Sequence, residues 1–384
     1  MSGGQGPIPV VLLLSPGGRT PAEAWMARAR LAASRDLLAR LLEVPAAGQV
    51  FVLAGNPDDQ KDLVERGATP LPGDSGPFHF GRTLASIVQS LSVPRVAYFG
   101  GASAPLATVD TLRGIFERAM GGDRVLVNNY HSTDWAIVSP AEKLIDVAER
   151  LVSDNALGWV LAHEAGLPVE AMPASAASRA DLDTPSDVAM TASHPGLGLE
   201  MRRVSQDLPQ AVVDRMAHLR ELLTTPGRNL TLMGRVSSGV WRSVEERTQI
   251  WVRVFSEERG LLASGRAARG EVKSLVGGLL DEIGPRAFLQ RLASMTDGVL
   301  WDTRVWMSTH GAWPSPADRF ASDLGHTDEI EDLALRELTA AVAEAAIPVI
   351  TGGHGVVAGG LLAVLETIDT SGPWPLAGGQ TVLR

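Results

Sequence analysis

At 384 residues, with 45% apolar and 20% charged positions, the chain has the composition of a protein that buries a large core, and its length suits two domains of ~150–200 residues. A formal charge of −10 and a pI near 5.3 argue against a broad electrostatic footprint for nucleic acid or an anionic membrane, while leaving room for a small basic pocket. The absence of cysteine excludes disulfides, thiolate catalysis, zinc–thiolate sites and iron–sulfur clusters, so any metal must sit on oxygen or imidazole.

Lysine occurs only at Lys61, Lys143 and Lys273, so cationic work falls to arginine, whose planar fork grips phosphates and carboxylates in two places. The first seven residues carry no basic stretch and read as frayed. The apolar run that follows, 8–14, is too short to span a bilayer, which points to a cytoplasmic protein.

That run ends in Ser15-Pro16-Gly17-Gly18, the pattern of a buried parallel strand entering a Gly-rich loop. A helix is predicted over 21–42, with Thr20 as N-cap and Pro21 at its first position. In chain order there follow a strand at 49–54, helices at 58–66 and 80–91, a strand at 95–99, and a helix at 109–120. Strands at 124–128 and 135–138 and helices at 141–152 and 156–165 complete this half. Strands alternating with helices predict a mostly parallel three-layer α/β domain over 1–195, in which ligands sit beyond the carboxyl ends of the strands.

Residues 196–228 read as a helical connector, with its helix over 200–224. A second α/β domain is predicted over 229–384, with strands at 229–233, 249–255, 298–307 and 347–351 and helices at 238–247, 272–283, 285–295, 328–346 and 356–368. Trp301, Trp306 and Trp313 are assigned to the core or to an interface, a homo-oligomer being allowed.

Four features of the first half fall in a fixed order. Ser15-Pro16-Gly17-Gly18-Arg19 opens it; Gly76-Pro77-Phe78-His79-Phe80-Gly81, then Gly100-Gly101-Ala102-Ser103-Ala104-Pro105-Leu106, and last Asp181-Leu182-Asp183-Thr184-Pro185-Ser186-Asp187 follow. This order resembles the nucleotidyltransferases that include molybdenum-cofactor guanylyltransferase and cytidylyltransferase, and especially 2-phospho-L-lactate guanylyltransferase. The resemblance covers about residues 8–192 and implies a nucleotide-diphospho-sugar-transferase-like fold. It also implies Mg²⁺-dependent transfer of a nucleoside monophosphate from an NTP to a small phosphorylated acceptor.

Carried over residue by residue, the resemblance puts the triphosphate on Gly17, Gly18 and Arg19, with Arg28 and Arg30 as substitutes for further basic positions. The base side falls to Phe80 and Gly81, and the metal to Asp183, with Asp181 second. Hard carboxylate oxygens suit Mg²⁺, which binds through one or two of them plus substrate phosphates. Two departures reduce the acid count: Ser103 stands where the family has a metal-binding aspartate, and Asn129 where the phospholactate enzyme has an acidic residue. Asp134 then compensates as a second catalytic carboxylate, with the polar run Asn128 to Asp134 lining the acceptor site, or the domain binds a nucleotide or sugar phosphate without transferring it.

Plainer readings stand beside these. The acidic turn also reads as a helix cap on Thr184 with Pro185 and Asp187 behind it, Gly17-Gly18 as an ordinary α/β turn, and 128–134 as a satisfied turn. In the second half, Thr351-Gly352-Gly353-His354-Gly355 after a strand suits either an anion or close packing. In a parallel sheet, Glu257, Asp302 and His354 would converge on one edge.

Overall fold

The computed structural model describes residues 6–73, 76–261, 265–311 and 313–368; of the segment expected to fray, residues 1–5 lie outside these. The first half forms a seven-stranded sheet from β1 (Ile8–Leu14), β2 (Ala47–Ala54), β3 (Thr69–Pro70), β4 (Val96–Gly100), β5 (Val125–Val127), β6 (Trp135–Val138) and β7 (Val169–Ala171), in the order β3-β2-β1-β4-β6-β5-β7. Only β6 runs against its neighbours. The second half forms a four-stranded, wholly parallel sheet from β8 (Asn229–Gly234), β9 (Trp251–Ser256), β10 (Gly298–Asp302) and β11 (Val349–Gly352), ordered β11-β10-β8-β9. The fold is therefore a mostly parallel α/β sheet followed by a second α/β unit.

The strand period of two sorts side chains onto the two faces of the first sheet. Val10, Leu12, Val52, Phe99 and Ile137 pack with Leu37, Leu38 and Phe116 on one face. On the other, Val11, Leu13, Tyr98, Val127 and Ala136 pack with Phe80, Leu84 and Leu161. Helices thus cover both faces, as the unbroken apolar strands require.

One core is common to both halves. Trp25, Met26, Ala29 and Ala33 on the Pro21–Leu42 helix, with Leu182 and Val188, pack against Phe288, Trp301, Trp306, Phe320 and Leu324 of the second half. The helix buries residues along its whole length because its first turns pack against the second unit and its last turns against the first sheet.

Several elements differ from expectation. The strand predicted to run to residue 307 stops at Asp302, because the Asp302 carboxylate accepts from Arg304 N (3.2 Å) and Thr303 N donates to Gly352 O (3.1 Å), opening the helix Arg304–Thr309. Trp306 therefore lies on a helix, and with Trp301 it fills the core. The connector breaks at Pro209, which has no N–H to continue a helix, into Leu199–Ser205 and Gln210–Thr224. The helix predicted over 141–152 is only Lys143–Asp146 and a 3₁₀ turn at Ala148–Arg150, and that over 328–346 starts at Leu333, where Asp332 accepts from Leu335 N (2.8 Å). The short strands β3 and β7 carry too few residues to show a period.

Candidate active-site cleft

From β1 the chain builds β2 and β3 on one side and returns to β4 on the other. Loops leaving the carboxyl ends of β1 and β4 therefore part and leave a crevice, the usual ligand position in such sheets. A cavity of about 200 Å³ opens there, lined by residues 13–16 and 100–103 and by Asp134, Asp154, Asp181 and Asp183. A second cavity, about 440 Å³, shares Pro16, Arg30, Ser132, Asn155 and Asp183 with it. It extends over Gly17, Gly18 and Thr184 to Arg235, Arg304, Arg319 and His354 of the second half. A third, about 660 Å³, lies on the other flank of β1, against Ser15, Pro16, Phe78, Phe80, Tyr98 and Asp154.

The acidic wall is fixed by backbone contacts. Asp181 pairs with Ser103 in an antiparallel bridge, and Leu182 N donates to Ala102 O (3.2 Å). The Arg30 guanidinium donates to Leu182 O (3.4 Å) and Asp183 O (2.8 Å), clamping the turn against the Pro21–Leu42 helix. Thr184 does cap the next helix: its N–H (2.8 Å) and hydroxyl (2.9 Å) both donate to Asp187 Oδ2. Cap and acidic wall coexist, because Asp187 serves the cap while Asp181 and Asp183 line the cavity.

The carboxylates crowd one another. Burial, then the charges of Asp154 and Asp183, hold Asp134 well above the usual carboxylate range. Burial raises Asp181 as well, reinforced by Asp183 and Asp134. Asp154, which accepts from Tyr98 OH (2.7 Å), is raised chiefly by burial. Such a cluster favours protons or cations, since each charge is poorly solvated and faces its own kind.

The opening loop is placed beside Asp183 but is partly filled from within. Arg19 N (3.0 Å) and Thr20 N (3.1 Å) both donate to Glu23 Oε2, and a Cβ on Gly18 would lie 2.1 Å from Glu23 Cβ. The Arg19 side chain is exposed and is not among the residues lining these cavities. The carboxylate of Glu23 thus stands where the sequence suggested a phosphate.

The remaining predicted positions divide. Phe80 is buried edge-on to Tyr98 (4.9 Å between ring centroids) and lines the third cavity. Gly81 faces the interior instead: a Cβ there would lie 2.1 Å from Ala148 O, so its role is close packing of the Phe80–Leu91 helix. Ser103 lines the acidic cavity, with its hydroxyl donating to Gly100 O (2.8 Å).

Of the run 128–134, Ser132 and Asp134 line the cavities, whereas Asn128 and Asn129 do not. Asn128 instead holds Asp134, donating to its Oδ2 (2.6 Å) and accepting from its N–H (2.9 Å). The Asn129 carbonyl accepts from the Thr133 hydroxyl (2.9 Å).

In the second sheet, β8 plays the part of β1, with β9 built on one side and β10 on the other. Its crevice holds Arg235, whose Nε (2.6 Å) and Nη2 (3.1 Å) fork onto the wholly buried Asp302. The His354 Nε2–H donates to Arg235 O (3.2 Å), and burial pushes the imidazole down to about 4. Glu257, whose carboxylate accepts from Ser274, takes its backbone bond from the same turn (Glu257 N to Gly234 O, 2.8 Å), so the three predicted residues do converge.

The glycine loop 352–355 packs on the acidic turn. A Cβ on Gly353 would lie 3.1 Å from Thr184 Cγ2, and one on Gly355 1.9 Å from Asp187 Oδ1. Asp154, Arg235, Arg304 and Arg319 escaped the sequence reading. Only Arg235, directly after a strand, carried a local signal.

No protein-family model matches the chain, and no curated protein matches it. Among solved structures, it is similar to a cytidylyltransferase from Leptospira borgpetersenii serovar Hardjo-bovis (16% identity, TM-score 0.36, 48% of this chain and 84% of that one). It is similar too to a protein assigned as a nucleotide-diphospho-sugar transferase from Desulfovibrio desulfuricans G20 (12%, 0.41, 54% and 97%). A third is a nucleotidyl transferase from Methanothermobacter thermautotroptrophicus (15%, 0.33, 51% and 96%). No helix among the described residues is long and apolar enough to cross a membrane.

Proposed function

We propose that the chain is a nucleotidyltransferase that moves a nucleoside monophosphate from an NTP to a small phosphorylated acceptor, releasing pyrophosphate. The observation that carries this reading is the common cavity wall formed by Gly17, Gly18 and Asp183, beyond the strand ends where the first sheet divides. In this reading the third cavity takes the base against Phe80, the Gly17–Gly18 turn takes phosphates, and Asp181 and Asp183 face the reacting phosphate. Asp134, held by Asn128, accepts a proton or supports charge at the cavity floor.

Among the described residues, no group of three or more His, Asp and Glu side chains is placed to hold a metal ion alone. The donor set still fits Mg²⁺, which takes one or two carboxylates and completes its shell with phosphates and water. When bound, such an ion would neutralise charge developing on the transferred phosphoryl group. The crowding of Asp134, Asp181 and Asp183 is the state a divalent cation relieves.

A second reading rests on Glu23 and Ser103. With a carboxylate in the phosphate loop and one acid fewer on the opposite wall, the protein would bind a nucleotide or sugar phosphate and transfer nothing. Pyrophosphate release with each NTP, Mg²⁺ and a panel of phosphorylated acceptors separates the two, supported by calorimetry of NTP binding before and after Asp183→Ala. Release that Asp183→Ala abolishes supports transfer, silence with saturable NTP binding supports the second reading, and equal NTP binding by both proteins removes Asp183 from the site.

A further inference from the structure

We propose that the two halves together form a phosphomonoester-binding subsite in the cleft, in which Arg319 of the second half is the principal cation and Arg30 of the first half the second. The assignment rests on the nucleotidyl-transfer reading in one respect only, that the bound phosphate belongs to the acceptor.

Of the four arginines lining the 440 Å³ cavity, two are already paired with carboxylates. Arg235 is neutralised by Asp302, and Arg304 lies in a wholly buried pair with Asp323 (Nη2 to Oδ2, 3.3 Å). Glu23 is satisfied by the loop amides. What remains on the walls is two carboxylates, Glu23 held by the loop amides and Asp183 on the acidic turn, and the two guanidinium groups.

Arg30 spends its N–H groups on the carbonyls of Leu182 and Asp183 and lies 5.6 Å over the Phe320 ring, with no carboxylate among its partners. Among the described residues, Arg319 has no side-chain hydrogen bond or ion pair: its Nε is buried without a partner, and its guanidinium lies 5.1 Å from the centroid of the Trp313 ring. Burial and the nearby Arg304 push Arg319 down to about 10, while Asp323 and Asp183 pull it up and Arg30 opposes it. A desolvated fork with a free donor edge is poised for an anion.

The ligand class follows from the unused donors of Arg319. Arg319, with a buried Nε and no carboxylate in contact among the described residues, calls for an anion, and a phosphomonoester brings about −1.5 to −2 charges and three acceptor oxygens at neutral pH. Trp313 and Phe320 offer an apolar flank for the organic part of such a molecule. The His354 imidazole is neutral, and because its Nε2–H is given to Arg235 O, its Nδ1 is an acceptor that suits a hydroxyl of the same ligand. Arg319 sits on the Pro316–Leu324 helix, so the fork is presented from a rigid element.

Calorimetric titration of the full chain with inorganic phosphate tests the assignment. Wild-type protein is expected to bind, Arg319→Ala to bind about tenfold or more weakly, and Arg319→Lys to fall between, since lysine keeps the charge and loses the fork. Thermal melts of both variants report whether they fold; where only Arg319→Lys does, its weakened binding is the deciding value. Phosphate titrated into NTP-saturated protein is expected to bind within about threefold of its affinity for the free protein; mutual exclusion would assign Arg319 to the NTP and overturn the acceptor role. Unchanged phosphate affinity in Arg319→Ala, or no binding by wild type at about 20 mM phosphate, overturns the subsite itself. Phosphate binding without NTP binding would remove the transferase reading and leave the subsite standing.

Discussion

Asp302→Asn removes one negative charge from the centre of the second crevice and leaves its shape almost unchanged. In the native protein the carboxylate accepts four hydrogen bonds, from Arg235 N (3.3 Å), Nε (2.6 Å) and Nη2 (3.1 Å) and from Arg304 N (3.2 Å). An amide keeps one acceptor oxygen and turns an NH₂ toward donors, so at least one donor loses its partner and the Arg235 charge loses its counter-ion. Breaking a buried pair from one side costs about 3–5 kcal/mol. Against a total of about 5–15 kcal/mol for a folded domain, that is a large fraction.

The pH dependence has a definite sign. Arg235 holds Asp302 below its usual value against a strong desolvation effect, so the stabilisation is full above the unfolded-state pKa and is lost only as pH falls through the lower folded value. Between pH 6 and 8 the penalty of the substitution should therefore be flat. Urea denaturation followed by tryptophan fluorescence, with Trp301 adjacent in β10, measures it, and the double variant Asp302→Asn/Arg235→Gln should recover part of the loss. A penalty under about 1 kcal/mol, or simple additivity of the two changes, would refute the pairing argument.

Other consequences are as direct. Glu23→Gln should cost about 1 kcal/mol through the weakened capping box and tighten NTP binding severalfold by taking a negative charge from the phosphate loop; weaker NTP binding on calorimetry would show that the loop is not a phosphate site. His354 is held neutral down to about 4 against 6.5 when unfolded, so the unfolded chain binds the extra proton between these values and stability should fall as pH drops through that window, by up to about 3 kcal/mol; His354→Asn should flatten that part of a pH–melting profile. A chain cut near residue 196 would expose Trp25, Met26, Ala29 and Val188, at about 1.5–3 kcal/mol for each large side chain, and should not melt cooperatively on calorimetric scanning.

The alternation of apolar runs and helices made the α/β architecture legible; the helix Pro21–Leu42 was readable from its Thr20 cap, Pro21 and spacing, and the bounds expected for Phe80–Leu91 and Ser238–Arg247 also match. β10 was overextended because Trp301 and Trp306 are equally apolar, and only the Asp302 carboxylate, a tertiary feature, ends the strand. Within the cleft, Asp181, Asp183 and Gly17 were named through the resemblance, their turn chemistry alone reading as a cap and an ordinary turn, and all three line its cavities. Gly81 misled because a glycine needed for packing against Ala148 looks, in sequence, like one needed for a ligand. The arginines of the second half were hidden for a different reason: Arg304 and Arg319 gain meaning only when the shared core brings their helices over the acidic turn.

A nucleotide and a cation are expected to lie between Asp183 and the Gly17–Gly18 turn. Crystals grown with an NTP and Mn²⁺, with diffraction recorded at the manganese absorption edge, test this directly. The prediction is an anomalous peak at coordinating distance from Asp183, bridging to phosphate density beside Gly18; manganese and nucleotide bound together at another edge of the sheet would contradict it.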